Sequence, residues 1–322
     1  MAARAWLISP FVDLLFFSNL PWLLALAPLV ISTEGFPRVE FWQVYFLTTP
    51  HRWLTLVLVA TDPDRRGNRT RLFVALAVVF LVFVIAMHWV TGAFSCLAVV
   101  DYVWNSWHFG SQHAGILRLY SRRAGSTKVL GEVWPIRLLV VYTSLRLVGW
   151  LTGWIDHFSA AGATMRMADY AAICLPAWVL WQQLAHFTKA RIGALCYATS
   201  VCLLYSILLW SVAHRISSLV LSLTVAASAF HAVEYLAFVS FYAAQRRGAG
   251  GRSLFGHFAR QWSALLLAYL VAVGLLGYGI SKQWESLWIG LNLWAAFLHY
   301  AYDGMIWKLR QPATAKTLGA AT

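Results

Sequence analysis

The chain is written in apolar runs. Ten stretches approach the roughly 20 residues needed to cross a membrane, at approximately 9-32, 41-61, 71-91, 93-117, 135-155, 168-187, 192-213, 217-244, 261-281 and 286-307. Only 11% of the 322 residues are charged, against about 25% in an ordinary soluble domain. The expected fold is all-α, a polytopic transmembrane helix bundle forming one integral-membrane domain over 1-322. Residues 311-322 would be a short cytoplasmic tail. Asp13 interrupts the first apolar run, which argues against a cleavable signal peptide. The four cysteines fall in apolar spans without a Cys-x-x-Cys spacing, so neither a disulfide framework nor a thiolate metal site is indicated.

The charges orient the spans. With the N-terminus on the cytoplasmic face, 19 of the 25 Lys and Arg residues fall on that side and four, Arg38, Arg166, Arg215 and Lys282, on the other. That bias places both termini in the cytoplasm. The net charge of +13 then reads as orientation and contact with anionic lipid headgroups. It does not indicate nucleic-acid binding. Eighteen Trp and 13 Tyr suit aromatic belts at both interfaces. The expected location is a bacterial inner membrane.

Against this apolar background one segment stands out, Asp101-Tyr-Val-Trp-Asn-Ser-Trp-His-Phe-Gly-Ser-Gln-His113. Asp101, Asn105, His108 and Gln112 share one helical stripe. His113 lies about 100° round from Gln112, and a bend at Gly110 would bring it inward. Polar groups in hydrocarbon are costly and by default mark a functional interior.

Other spans carry partners. Counting back from the cytoplasmic ends of their helices, His51, His108, His113, His231 and His299 share a layer roughly 8-22 Å deep. Glu234 follows His231 by three residues and Asp303 follows His299 by four, each pair on one helix face. Thr55 and Asp62 align with His51, and Asn292 extends the His299 stripe. Neutral imidazole and carboxylate suit iron, zinc or manganese, and helix bundles build di-iron sites from such pairs. His51, His108, His113, His231, His299, Glu234 and Asp303 are therefore the candidate ligands, the two carboxylates doubling as catalytic groups. Asp101, Asn105 and Gln112 are candidates to orient them. Asp13 enters near the same depth, but Asp13 and Asp62 lie near helix ends, where capping or solvation is expected. Arg52 and Arg146 lie inside spans and either bind an acidic group of an amphiphilic substrate or neutralise the acidic residues. His88, His157 and His214 fall at the outer face and His257 in a cytoplasmic loop. His186 sits at a cytoplasmic helix end.

His108-x4-His113 with scattered intramembrane histidines resembles the histidine-rich integral-membrane non-heme iron oxygenases. That group includes fatty-acid desaturases and hydroxylases and the carotene-cleaving Brp/Blh dioxygenases. Pro50-His51, with single histidines on later spans, is similar to the carotene-cleaving enzymes. Desaturases also carry His-His pairs, and this sequence contains none. The resemblance implies one or two irons and an oxygen-dependent reaction on an apolar lipid, isoprenoid or carotenoid. A hydroxylase or desaturase would need an external electron donor. Two other readings remain open: a proton- or metal-coupled transporter and a b-type haem protein with two axial histidines. Zinc is a further metal that the ligand set admits.

Overall fold

The computed structural model describes residues 5–29, 40–126, 131, 133–151, 153, 159–248, 253–309 and 311–320. Every regular element among them is helical. The principal α-helices are α1 (Thr49–Thr61), α2 (Thr70–Thr91), α3 (Ser95–Arg123), α4 (Val133–Leu151), α5 (Ser159–Ala172), α6 (Cys174–Ala185), α7 (Ile192–Ala213), α8 (Ser217–Gly248), α9 (Leu254–Arg260), α10 (Trp262–Gln283) and α11 (Glu285–Ile306). Helices stand where the apolar runs expect them. Four helical stretches among the described residues are long and apolar enough to cross a membrane, Thr70–Thr91, Lys189–Ala213, Ser217–Arg247 and Trp262–Gln283.

Several expected spans differ in form. The first is a bent pair, Pro10–Phe17 and Leu20–Leu29, set at 50° to one another. Asn19 between them takes a left-handed conformation with φ 47°. Leu20 precedes Pro21, a place where helical backbone is disfavoured. The sixth span is two helices parted at Ile173, because Pro176 has no N–H to give the carbonyl of Ala172. The second enters through a π-helical stretch, Gln43–Thr48, before α1. α3 keeps α-helical pairing through Gly110. Gly110 serves close packing: a Cβ there would lie 2.9 Å from the Cα of Arg137 on α4.

The helices group into two compact units. Neither boundary is a linker. One falls between Asn105 and Ser106 inside α3, the other between Ala237 and Phe238 inside α8, so composition gives no sign of them. In the unit of residues 39–105 and 238–319, α11 packs on α1, α2 and α10. Its Leu293, Ala296, Phe297 and Tyr300 form a core with Val84 and Leu97. In the other unit α7 is central, packing on α4 and α6, with Tyr197, Ala198, Val201 and Leu204 fully buried. α2 and α10 bury only 11% of their apolar windows, against 61% for the α7 stretch. The former therefore present broad apolar faces outward, as lipid-facing helices would, and the latter is an internal strut.

Candidate metal and hydrogen-bonding site

The five candidate histidines, Glu234 and Asp303 are all buried, none more than 8% exposed. Buried His and carboxylate side chains among the described residues bring ligand atoms within 4.8 Å of one another, in groupings that can hold a metal ion.

In the α11 unit, the rings of His51 and His299 meet edge to face with centroids 5.0 Å apart. Their tautomers follow from their neighbours. His51 Nδ1 faces the Leu47 carbonyl oxygen at 3.3 Å. A carbonyl only accepts, so that nitrogen carries the proton. Thr55 Oγ1 donates to Asp303 Oδ1 at 3.1 Å and lies 2.7 Å from His299 Nδ1. With its own proton committed to Asp303, the Thr55 oxygen accepts from His299 Nδ1–H. Both imidazoles thus carry their lone pair on Nε2. This is the arrangement of metal-ligating histidine, one nitrogen held as N–H by an acceptor and the other presented as donor atom. Asp303 Oδ2 lies 3.7 Å from His299 Nδ1. Two imidazoles and a carboxylate are a borderline-to-hard donor set that fits iron, zinc or manganese.

Thr55 was aligned with His51 by spacing alone; its bonds to His299 and Asp303 give that alignment a purpose. Thr55→Val removes the hydroxyl at nearly constant volume. It is expected to weaken metal binding by about 10- to 100-fold, measured by chelator competition, with the helical content of the chain unchanged.

In the α7 unit, His108 and His231 make a second edge-to-face pair, centroids 5.0 Å apart, and Phe109 stacks on His231 at 3.9 Å. His113 and Glu234 share a hydrogen-bond network with neighbouring side chains. Glu234 Oε1 accepts a short hydrogen bond from Tyr197, and Oε2 accepts from Gln112 Nε2 at 2.6 Å. Tyr197 spends its proton on Glu234, so its oxygen accepts from His113 Nδ1, 3.0 Å away. His113 Nε2 faces the Tyr205 hydroxyl at 3.5 Å. Both nitrogens of His113 and both oxygens of Glu234 are therefore engaged by protein groups. Neither belongs to a metal-holding grouping among the described residues. Gln112 also donates to the His231 carbonyl at 3.1 Å, tying α3 to α8. Tyr120 stacks on Tyr197 and donates to Asp13 Oδ2 at 2.8 Å. Asp13 is wholly buried and accepts from the backbone N–H groups of Leu7 and Ile8, ahead of the helix that Ser9 caps, so the solvated expectation does not describe it.

Asp101 and Asn105 both accept from the Tyr300 hydroxyl, at 2.8 and 3.0 Å. Through Tyr300 they fix the residue next to His299. Half-buried Arg52 lies within the fields of Asp101 and Tyr300. Arg146 is already occupied. Its Nε and Nη2 make a two-pronged bond to Asp169 on α5, at 2.7 and 2.8 Å, and Tyr142 donates to the same carboxylate. Asp62 caps Pro63–Arg66 and accepts from Tyr242 and Arg246. Asn292 donates to the Trp288 carbonyl. Of the histidines set aside, His186, His214 and His257 are exposed. His88 stacks on Phe94, and His157 lies outside the described residues.

No protein-family model, curated protein or solved structure matches the chain.

Proposed function

We propose that this chain is a ten-span membrane protein, both termini cytoplasmic, that holds one or two iron ions and oxidises an apolar lipid, isoprenoid or carotenoid with oxygen. The observation that carries the reading is the convergence of buried His and carboxylate ligand atoms within 4.8 Å, with the rings of His51 and His299 in contact at 5.0 Å. His51, His299 and Asp303 are the proposed ligands of one unit, His108 and His231 those of the other. Their common depth, counted from the cytoplasmic helix ends, supports a shared layer toward that face. Iron so held would supply oxygen activation and electron transfer. The chain's own residues orient the imidazoles, exclude water and keep Glu234 and His113 in a closed hydrogen-bond network. An electron donor from outside the chain serves a hydroxylase or desaturase outcome.

In the haem alternative two of these histidines would hold the group and leave the remaining histidines and the carboxylates without a role.

The test is metal analysis with an optical spectrum on detergent-purified protein from iron-supplemented cells. Iron at one or two equivalents without a Soret band is the expected result. Zinc in its place would move the chemistry to hydrolysis or structure. A protein free of metal after growth in iron would overturn the reading and bring proton-coupled transport forward.

A further inference from the structure

Two phenols of the α7 unit give their protons to buried carboxylates. Tyr197 on α7 donates to Glu234 Oε1 on α8, and Tyr120 on α3 donates to Asp13 Oδ2 at 2.8 Å. Tyr197, Glu234 and Asp13 are wholly buried, and Tyr120 is 2% exposed. Gln112 bonds the second Glu234 oxygen, and the N–H groups of Leu7 and Ile8 bond Asp13. Every oxygen of both acids thus accepts, as in an ionised carboxylate. No Lys or Arg among the described residues pairs with either. A buried hydroxyl needs a partner, but a backbone carbonyl satisfies it without the cost of a buried charge.

The two phenol rings lie on one another, centroids 5.6 Å apart and planes at 28°. Inward, the Tyr197 oxygen accepts from His113, and Gln112 bonds the carbonyl of His231, a proposed ligand. Outward, Tyr120 meets a third ring. A Cβ on Gly193 would lie 3.0 Å from Tyr120 Cε1 and 3.2 Å from Trp6 Cε3, so both rings pack against that glycine. Trp6 is half-buried. Tyr197, Tyr120 and Trp6 therefore make a file of rings from the neighbourhood of His231 to the surface, all within one compact unit.

Oxidation of a phenol releases a proton with the electron. An apolar interior offers no water to take that proton, and a stranded charge there is expensive. The phenol then needs a base within hydrogen-bond reach, and each of these tyrosines has one. Loss of the electron, with the proton shifting along the existing bond, turns an anionic phenol–carboxylate pair into a neutral radical beside a neutral acid. No buried charge is created, so burial does not oppose the step.

We propose that Tyr197, Tyr120 and Trp6 are a redox relay that carries an oxidising equivalent from the interior of this unit to the protein surface. First, Tyr197 gives one electron to the oxidant and its phenolic proton to Glu234, leaving a neutral Tyr197 radical. Tyr120 then gives one electron to that radical and its own proton to Asp13, while Glu234 returns its proton to Tyr197. Trp6 gives one electron to the Tyr120 radical, which takes its proton back from Asp13. An ascorbate-class donor at the surface reduces the Trp6 radical cation and is itself oxidised by one electron. Each proton returns to its phenol, and one electron has passed from the donor to the oxidant. The oxidant is a one-electron acceptor strong enough to oxidise a phenol, the class that oxygen activation generates, so the relay rests on the oxygen-using reading for its source. Its role is to drain an oxidant formed without substrate.

The experiment is photo-oxidation of chelator-treated, metal-free full-length protein in detergent, with a ruthenium tris-bipyridine sensitiser and persulfate, read by electron paramagnetic resonance after freezing. The added oxidant replaces any bound centre, so this result and the metal analysis can fail separately. Oxidation enters at the surface and settles on phenols whose protons have a base. Wild type is expected to hold a persisting tyrosyl signal, identified by its narrowing when the tyrosines are ring-deuterated. Tyr120→Phe/Tyr197→Phe is expected to lose that signal, and Tyr170→Phe, an exposed tyrosine of α5, to keep it. Trp6→Phe is expected to slow its appearance. Where the double phenylalanine variant does not fold, Asp13→Asn/Glu234→Gln replaces it, keeping size and removing both bases, with the same loss expected. Absence of a persisting tyrosyl signal in wild type, or an undiminished one in either double variant, overturns the relay. An unchanged rate in Trp6→Phe overturns Trp6 as its outer end.

Discussion

His299→Ala is expected to abolish metal retention, with His257→Ala unchanged. The asymmetry follows from the surroundings of each ring. His299 is fully buried, its Nδ1 2.7 Å from the Thr55 hydroxyl and its ring in edge-to-face contact with His51. His257 is exposed and its Nδ1 bonds the Ser253 carbonyl one turn back. Loss of a ligand should exceed the 10- to 100-fold cost of losing an outer partner such as Thr55, so stoichiometric metal in His299→Ala would sink the assignment. His231→Ala tests the other unit by the same measurement. Loss of half the metal in each variant would indicate two separate ions, and complete loss in both a common centre. A stability readout must accompany these variants, because truncating a buried imidazole also removes packing. His299→Gln, closer in size, separates the two effects: it should restore folding and leave metal retention low.

That these residues are buried was legible in the sequence, because polar side chains are conspicuous in apolar runs. His51, His108, His113, His231, His299, Glu234 and Asp303 are all buried in the structure. What the sequence could not divide was their roles. His113 and Glu234 look like ligands by spacing; their bonds to Tyr197 and Tyr205 were not readable, because in an apolar span any tyrosine suits an aromatic belt. Tyr300 was hidden in the same way, although it adjoins His299 and holds Asp101 and Asn105. Thr55 carried a readable signal, one turn after His51, but spacing along α1 does not reveal that its partners are on α11. Helix positions were legible from the apolar runs. The breaks at Asn19 and Ile173 were not, because a hydropathy window averages over Leu-Pro steps that remove a backbone donor.

Arg146 exemplifies what an intramembrane charge does not by itself reveal, and it leads to the second large expected effect. Its partner Asp169 lies 23 residues on, across segments read as separate spans, and the pair is nearly buried, at 10% and 9% side-chain exposure. Arg146→Met leaves the Asp169 carboxylate and the Tyr142 hydroxyl without the cation between them. Breaking a buried pair costs about 3–5 kcal/mol, and the expected result is a loss of that order in thermal or denaturant unfolding of the detergent-solubilised chain. Asp169→Leu should cost as much, since it strands a guanidinium. The double variant Arg146→Met/Asp169→Leu removes both charges and is expected to recover most of the loss. If Arg146 instead served an acidic substrate, Asp169→Leu would leave it free to bind and the double variant would stay inactive despite refolding. Recovery of stability together with turnover of an apolar substrate would establish the pair as a strut between α4 and α5. A variant series in which Arg146→Met is as stable as wild type would remove that strut from the account and return Arg146 to the substrate.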